Sequence, residues 1–177
     1  DKLVEAKKKT YAQAEVIGDD ALVDADSIVT TPDGILELIF KDLDFIEARL
    51  GRNPGDAEKA TLEKLKARLE ADQTVFTAGL SAEEKQTLAI HTFTTNKPIT
   101  VATPEELASP DTLLVRAFKQ SGYICFLTVG GKENRAWAIR QGITAWEAAG
   151  AIHTDIQKGF IRAEIISYDD FIAAGGE

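Results

Sequence analysis

Apolar residues follow a helical period through the middle of the chain and an alternating one towards its end. From Gly34, Leu36, Ile39, Leu43, Ile46 and Leu50 recur at steps of three and four, which aligns them along one helical stripe. The run Gly51-Arg52-Asn53-Pro54-Gly55 is dense in helix breakers and must end that helix. Asp56 is placed to cap a second helix, in which Leu62, Leu65 and Leu69 again share a face. Two amphipathic helices joined by a short turn predict an antiparallel helical hairpin, either packed on a neighbouring layer or protruding as an arm. Ser81-Ala82-Glu83-Glu84 has capping-box spacing and predicts a helix running through Leu88 and Ile90. Lys97 to Ala102 reads as a short buried strand. Pro110-Asp111 opens a helix carrying Leu113, Leu114, Ala117 and Phe118, which Gly122 closes.

The flanks differ. Lys2 to Lys9 is polar and basic, Tyr11 to Ile17 alternates loosely enough to predict a strand, and Asp19 to Gly34 has no sustained period. After Gly122, Tyr123 to Val129 is rich in β-branched and aromatic residues, and Gly130-Gly131 follows as a turn. Arg135 to Arg140 then alternates, with Arg135, Trp137 and Ile139 on one face and Ala136, Ala138 and Arg140 on the other. Thr144 caps a short helix over Ala145 to Ala149, closed by Gly150. Phe160 to Ile166 predicts a third strand and Tyr168 to Ala174 a last helical turn. Strand, strand, helix, strand is the order of a β-grasp fold.

Composition narrows the chemistry. The 177 residues carry a formal net charge of −9, so the overall field opposes nucleic acid and only a local basic patch would grip it. No apolar run approaches the roughly 20 residues of a membrane span, nor does a basic leader precede an apolar stretch. One cysteine, Cys125, allows no internal disulfide and suits a reducing cytoplasm; its apolar strand predicts a buried, inert thiol. Methionine is absent, where average usage gives about four, and the chain starts at Asp1. Both features suggest an incomplete chain.

Motifs for catalysis are sparse. Gly131-Lys132 resembles the end of a phosphate-binding loop, but Phe126 stands where that loop needs its first glycine and Glu133 where it needs Ser or Thr. His91, His153 and Cys125 lack metal-ligand spacing. His153-Thr154-Asp155 is read as fixing the connection between the short helix and the third strand, with Asp155 or Thr154 bonding backbone amides and catalysis the lesser alternative. Neither catalytic nor metal-binding residues are assigned. The basic residues Lys132, Arg135, Arg140, Lys158 and Arg162 are candidates for contact with RNA or a ribosome, although alternation puts Arg135 and Arg140 on opposite faces. Solvated surface charge is the plainer alternative.

One segment is specific enough to compare with a known family. Arg135 to Ile172, RAWAIRQGITAWEAAGAIHTDIQKGFIRAEIISYDDFI, resembles the TGS domain of the Obg-like ATPase (YchF) family. It has Arg-Ala-Trp, Gly-x-Thr-Ala, Ala-Ala-Gly-x-Ile-His, Lys-Gly-Phe-Ile-Arg-Ala-Glu and Tyr-Asp-Asp in family order, with Trp146-Glu147 in place of Pro-Gln. Weaker likenesses lie upstream. Asp1 to Ile17 is similar to the stretch before the second switch, Leu36 to Gln73 to the family's inserted helical arm, and Asn96 to Ala102 to the strand before the base-reading motif. The departures are also plain. The phosphate loop would precede Asp1, the Asp-x-x-Gly after Ile17 is out of register, and Thr103-Pro104-Glu105-Glu106 replaces an Asn-x-x-Glu.

The resemblance implies an α/β architecture: a partial P-loop nucleotide-hydrolase domain with an inserted antiparallel helical hairpin, then a β-grasp (TGS) domain. Residues 1–33 and 93–121 would belong to the nucleotide-binding domain, 34–92 to the coiled-coil-like arm and 122–177 to the TGS domain. It implies a cytoplasmic ATP- or GTP-binding hydrolase that uses Mg2+ and associates with ribosomes or RNA, with a protein partner for the arm. Its nucleotide-binding residues remain unassigned in this chain. The alternative is a nucleotide-free module of helical arm and TGS domain that binds RNA or protein.

Overall fold

The computed structural model describes residues 8–129 and 133–175. Two compact units emerge: Ile17–Ser121, and Asp1–Val16 together with Gly122–Glu177.

The Ile17–Ser121 unit is built on leucine-rich helices. Helix α1 (Pro32–Leu50) begins where the Thr31 side chain accepts from Gly34 N–H, and α2 (Asp56–Leu69) follows the predicted breaker run. The cap of α2 differs from expectation. Gly55 occupies it without a side-chain bond, and Asp56 sits in the first turn, where its charge complements the helix dipole. Ion pairs Arg49–Glu58 and Glu47–Lys66 step in opposite senses along the two helices, as antiparallel packing requires. Ile39 and Ile46 of the predicted stripe pack with Leu62, Leu65 and Leu69 in one core, which Val75, Ala78, Leu88 and Phe93 complete. Leu36 instead stays 40% exposed.

Helix α3 (Ala82–Leu88) lies beside α2 and opens on both halves of the predicted Ser81–Glu84 capping box. It stops at Leu88. Ile90, expected inside it, is 76% exposed. On α1, buried Asp42 accepts from the N–H groups of Thr94 and Thr95, at 2.7 and 2.8 Å, and from the Thr95 hydroxyl at 2.6 Å. Those bonds fasten the segment after α3 to the hairpin.

Strand β3 (Ile99–Val101) falls within the predicted strand, and its parallel partner β2 (Ile28–Thr30) lies in the stretch that showed no period. Three residues are too few to register an alternation. After β3 come α4 (Pro104–Ala108) and α5 (Pro110–Gln120); α5 packs on β3, and Gly122 terminates it at φ +75. Lys97 Nζ, just before β3, donates to the carbonyls of Leu22, Val23 and Ala25, tying the irregular stretch ahead of β2 to the sheet.

In the other unit, β4 (Tyr123–Thr128) and β5 (Glu133–Arg140) pair antiparallel, as the alternation predicts. The glycine turn at Gly130-Gly131 lies outside the described residues. The third strand of this sheet is β1 (Lys8–Thr10), parallel to β5, giving the order β1-β5-β4. This corrects two expectations. Tyr11 to Ile17 has no regular structure: the pairing with β5 stops at Thr10, where Thr10 and Lys8 meet Glu133, and Tyr11 is 75% exposed. Phe160 to Ile166 is likewise not a strand, because among the described residues no neighbouring strand pairs with it.

Helix α6 (Ala145–Ile152) packs on β5 and on α7 (Thr154–Lys158); α8 (Tyr168–Ala173) ends the described chain. Thr144 caps α6 as expected, with Glu147 completing the box. Gly150 does not close it. A Cβ there would lie 2.8 Å from the Gln157 side chain, so this glycine permits close approach between α6 and α7. Cys125 is exposed rather than buried, and partial desolvation raises its pKa, keeping the thiol protonated.

Candidate functional site

Parallel strands direct ligands to their carboxyl ends, so the ends of β2 and β3 are the first place to look in the Ile17–Ser121 unit. Both strands lead into helices through similar sequences, Thr30-Thr31-Pro32-Asp33 and Ala102-Thr103-Pro104-Glu105. Each threonine before the proline caps its helix, and each proline occupies a first-turn position where no N–H is needed. At β2 the approach is close: a Cβ on Gly34 would fall within 2.2 Å of Thr30 Oγ1.

The β3 end is closed by its own contacts. Thr103 Oγ1 accepts from Glu106 N–H at 3.3 Å, and Glu106 Oε2 accepts from Thr103 N–H at 2.9 Å. Arg116 reaches the same carboxylate through Nε at 2.8 Å and Nη2 at 2.6 Å, and donates to the Val101 carbonyl at 2.8 Å. The Arg116 bonds first, then the Thr103 backbone bond, hold the Glu106 carboxyl below its usual range. Glu106 is thus a fixed anion that braces α4, α5 and β3. Its capping box stands where the family resemblance expects an asparagine to read a base.

A second polar cluster bridges the helical hairpin. Glu58 accepts from Arg49 Nε at 2.6 Å and Nη2 at 3.0 Å, and lies 2.8 Å from His91 Nε2. Arg49 first, and then His91, bring the Glu58 pKa down to about 2. Phe45 meets the His91 ring edge-on at 5.3 Å. Every group here has a protein partner, so the cluster reads as a clamp joining α1, α2 and the segment after α3. Among the described residues no group of three or more His, Cys, Asp or Glu side chains is placed to hold a metal ion.

The predicted basic residues are not gathered in one place. Arg135 stacks over the Trp137 ring at 4.0 Å, and Trp137 stacks on Phe126 across the strands at 6.4 Å. The Trp137 indole N–H donates to Thr128 Oγ1 at 2.9 Å, fixing the ring. Register places Thr128, Phe126 and Ile124 opposite Arg135, Trp137 and Ile139, so these six share one face. Arg140 covers Tyr123 at 4.0 Å on the reverse face. Lys158 is exposed beside Asp155 at 4.0 Å, and Arg162 is exposed beside Glu164 at 3.5 Å. Lys132 lies outside the described residues.

Aromatic partners for the two arginines were legible in principle, since hairpin register alone opposes Phe126 to Trp137 and Tyr123 to Arg140. His153, rather than Thr154 or Asp155, makes the backbone bond expected at this connection: its Nδ1 accepts from Asp155 N–H at 3.1 Å and caps α7.

Comparison with known proteins agrees with the resemblance. The family described as YchF-GTPase_C, protein of unknown function (DUF933), matches residues 123–177. A protein of Haemophilus ducreyi named ribosome-binding ATPase YchF is 60% identical over 52 residues, which are 29% of this chain and 14% of that protein. The Buchnera aphidicola protein of the same name is 54% identical over 71 residues, 37% of this chain and 20% of the relative. Rat Obg-like ATPase 1 is 58% identical over 52 residues, 29% of this chain and 13% of its own length. The chain thus matches a small part of each of these relatives. Among solved structures, the Schizosaccharomyces pombe YchF GTPase superposes with a TM-score of 0.60 at 22% identity, covering 96% of this chain and 63% of that one. That likeness establishes a shared mixed α/β fold.

Proposed function

We propose, from the premise that this chain belongs to the YchF family, that it forms part of a cytoplasmic nucleotide hydrolase that acts on ATP or GTP with Mg2+ and associates with ribosomes. The match over residues 123–177, to a family whose relatives are named ribosome-binding ATPases, carries this reading. In such enzymes catalysis consists of positioning phosphates and metal, so no side-chain nucleophile is required. The residues of this chain contribute around that chemistry. β3 and α4 form a rigid edge, with Glu106 and Arg116 fixing the loop after the strand. The α1–α2 hairpin, with Phe40 60% exposed, is the element proposed to meet a protein partner. The β-grasp-like unit is proposed as a TGS domain, with the Arg135–Trp137 face towards RNA or the ribosome.

The test is made on the natural protein that carries this sequence. Its intact mass is expected well above 19.2 kDa, and it is expected to release phosphate from ATP or GTP only with Mg2+. A natural protein of 19.2 kDa without hydrolysis would overturn the enzyme reading. The second reading, a nucleotide-free module that binds RNA or protein, would then stand. It is favoured by one observation, the capping box at Thr103–Glu106 that replaces a base-reading motif.

A further inference from the structure

A hollow of about 170 Å3 opens beside the C-terminal end of α1, lined by Phe45, Ala48, Arg49, Arg52 and His91. All five residues belong to the Ile17–Ser121 unit. Phe45, Ala48, Arg49 and Arg52 stand at i, i+3, i+4 and i+7, the spacing of one helical face. The helical course continues past Leu50 to carry Arg52 there. Gly51 N–H donates to the Glu47 carbonyl at 3.0 Å, and Arg52 N–H to the Arg49 carbonyl at 3.1 Å. Ala48, the smallest of these side chains, leaves space between the longer ones.

The lining combines two kinds of chemistry. One is aromatic: Phe45 meets His91 and Phe93 edge-on, each at 5.3 Å between ring centroids, which fixes its ring, yet Phe45 stays 37% exposed. The other is cationic. Arg49 gives Nε and Nη2 to Glu58, which leaves Nη1 for a further acceptor. Arg52 has no ion pair or side-chain hydrogen bond among the described residues. The charges of Arg49 and Glu58 cancel, so the charge of Arg52 stands uncompensated.

These features define a ligand narrowly. One uncompensated positive charge matches a single carboxylate; a phosphate dianion would bring a second negative charge towards Glu58. Planar guanidinium groups suit the two oxygens of a carboxylate. The volume is well below the roughly 300–1,000 Å3 of sites for drug-sized ligands, so it has room for one ring, and the exposed Phe45 ring offers a stacking partner. We propose that this hollow binds a small aromatic carboxylate, with the carboxylate held by Arg52 and Arg49 Nη1 and the ring laid on Phe45. The site is separate from nucleotide hydrolysis and ribosome contact, and its test reads neither. A cation at a helix C-terminus is favoured in its own right, so the hollow is tested as well as the charge.

The experiment is a fluorine NMR titration of the natural protein that carries this sequence, at neutral pH, with 4-fluorobenzoate as the probe. Saturable binding with a Kd of about 1 mM is expected, since so small a ligand offers few contacts. The uncharged isostere 4-fluorobenzamide and the ringless anion fluoroacetate should each bind about tenfold more weakly.

Variants locate the site. Arg52→Gln removes the free charge and should weaken 4-fluorobenzoate binding about tenfold. Ala48→Leu fills the hollow without altering a charge and should abolish saturable binding. Lys59→Gln, which removes an exposed charge of α2 outside the hollow, should bind as the wild type does. Positions 48, 52 and 59 are all exposed, so circular dichroism should report unchanged folding. No saturation below about 20 mM, equal binding of the benzamide, tighter binding of phenyl phosphate, or undiminished binding by Arg52→Gln or Ala48→Leu would each overturn the proposal.

Discussion

The two units of this molecule are packed in opposite ways. In Ile17–Ser121 the leucines of α2 are sealed, with Leu62 and Leu65 at 0% exposure, and a continuous core runs from Ile39 to Phe93. In the unit that contains β4, β5 and α6, Ala149 is the only buried apolar residue among those described. Ile124 and Leu127 of β4 are more than 40% exposed, as is Val129 just after it. Yet the family match covers residues 123–177. The family match therefore lies in a unit of capping boxes, aromatic–arginine stacks and exposed strand residues, and burial lies in the other. Dense packing and family likeness thus fall on separate stretches of this sequence.

The largest effect should come from the sealed core. Leu65→Ala should cost about 2–5 kcal/mol in urea unfolding, whereas Ile139→Ala on half-covered β5 should cost about 1 kcal/mol or less. Equal losses would erase the contrast. Next is Asp42→Ala, which strands the half-buried Thr94 and buried Thr95 donors and should cost about 3 kcal/mol. A loss below about 1 kcal/mol would show that water replaces the carboxylate.

Acid should act selectively on the hairpin clamp. The Glu58 pKa is lowered, so its stabilising contribution is present above the ordinary value of 4.5 and disappears as pH falls towards about 2. Urea midpoints of the wild type and of Glu58→Gln should therefore differ at pH 6 and converge near pH 2. A constant gap would assign the effect to shape rather than charge. The smallest change is Thr144→Ala, which removes the cap of α6 and should cost about 1 kcal/mol. Observing it requires a probe in the thin unit, such as Trp146 fluorescence.

What could be read from the sequence follows the same division. The stripes of α1 and α2, the Ser81 and Thr144 caps and the β4–β5 hairpin are local patterns, and each is present. β1 and β2 were missed because three residues carry no period, and each exists through a partner more than 70 positions away. Phe160 to Ile166 has a strand's composition, but a strand also needs a neighbour. Cys125 was expected inside because its segment is apolar, yet β4 turns that residue outward. At the candidate site, the five basic residues were identifiable individually; that Arg135 would lie on Trp137 follows from alternation, while the capping box at Thr103 becomes meaningful only beside Arg116.

The ribosome-associated reading is tested most directly by co-sedimentation of the chain with ribosomes at increasing salt. Salt-sensitive pelleting, reduced by Arg135→Glu, is the predicted result; a chain left wholly in the supernatant at low salt would contradict it.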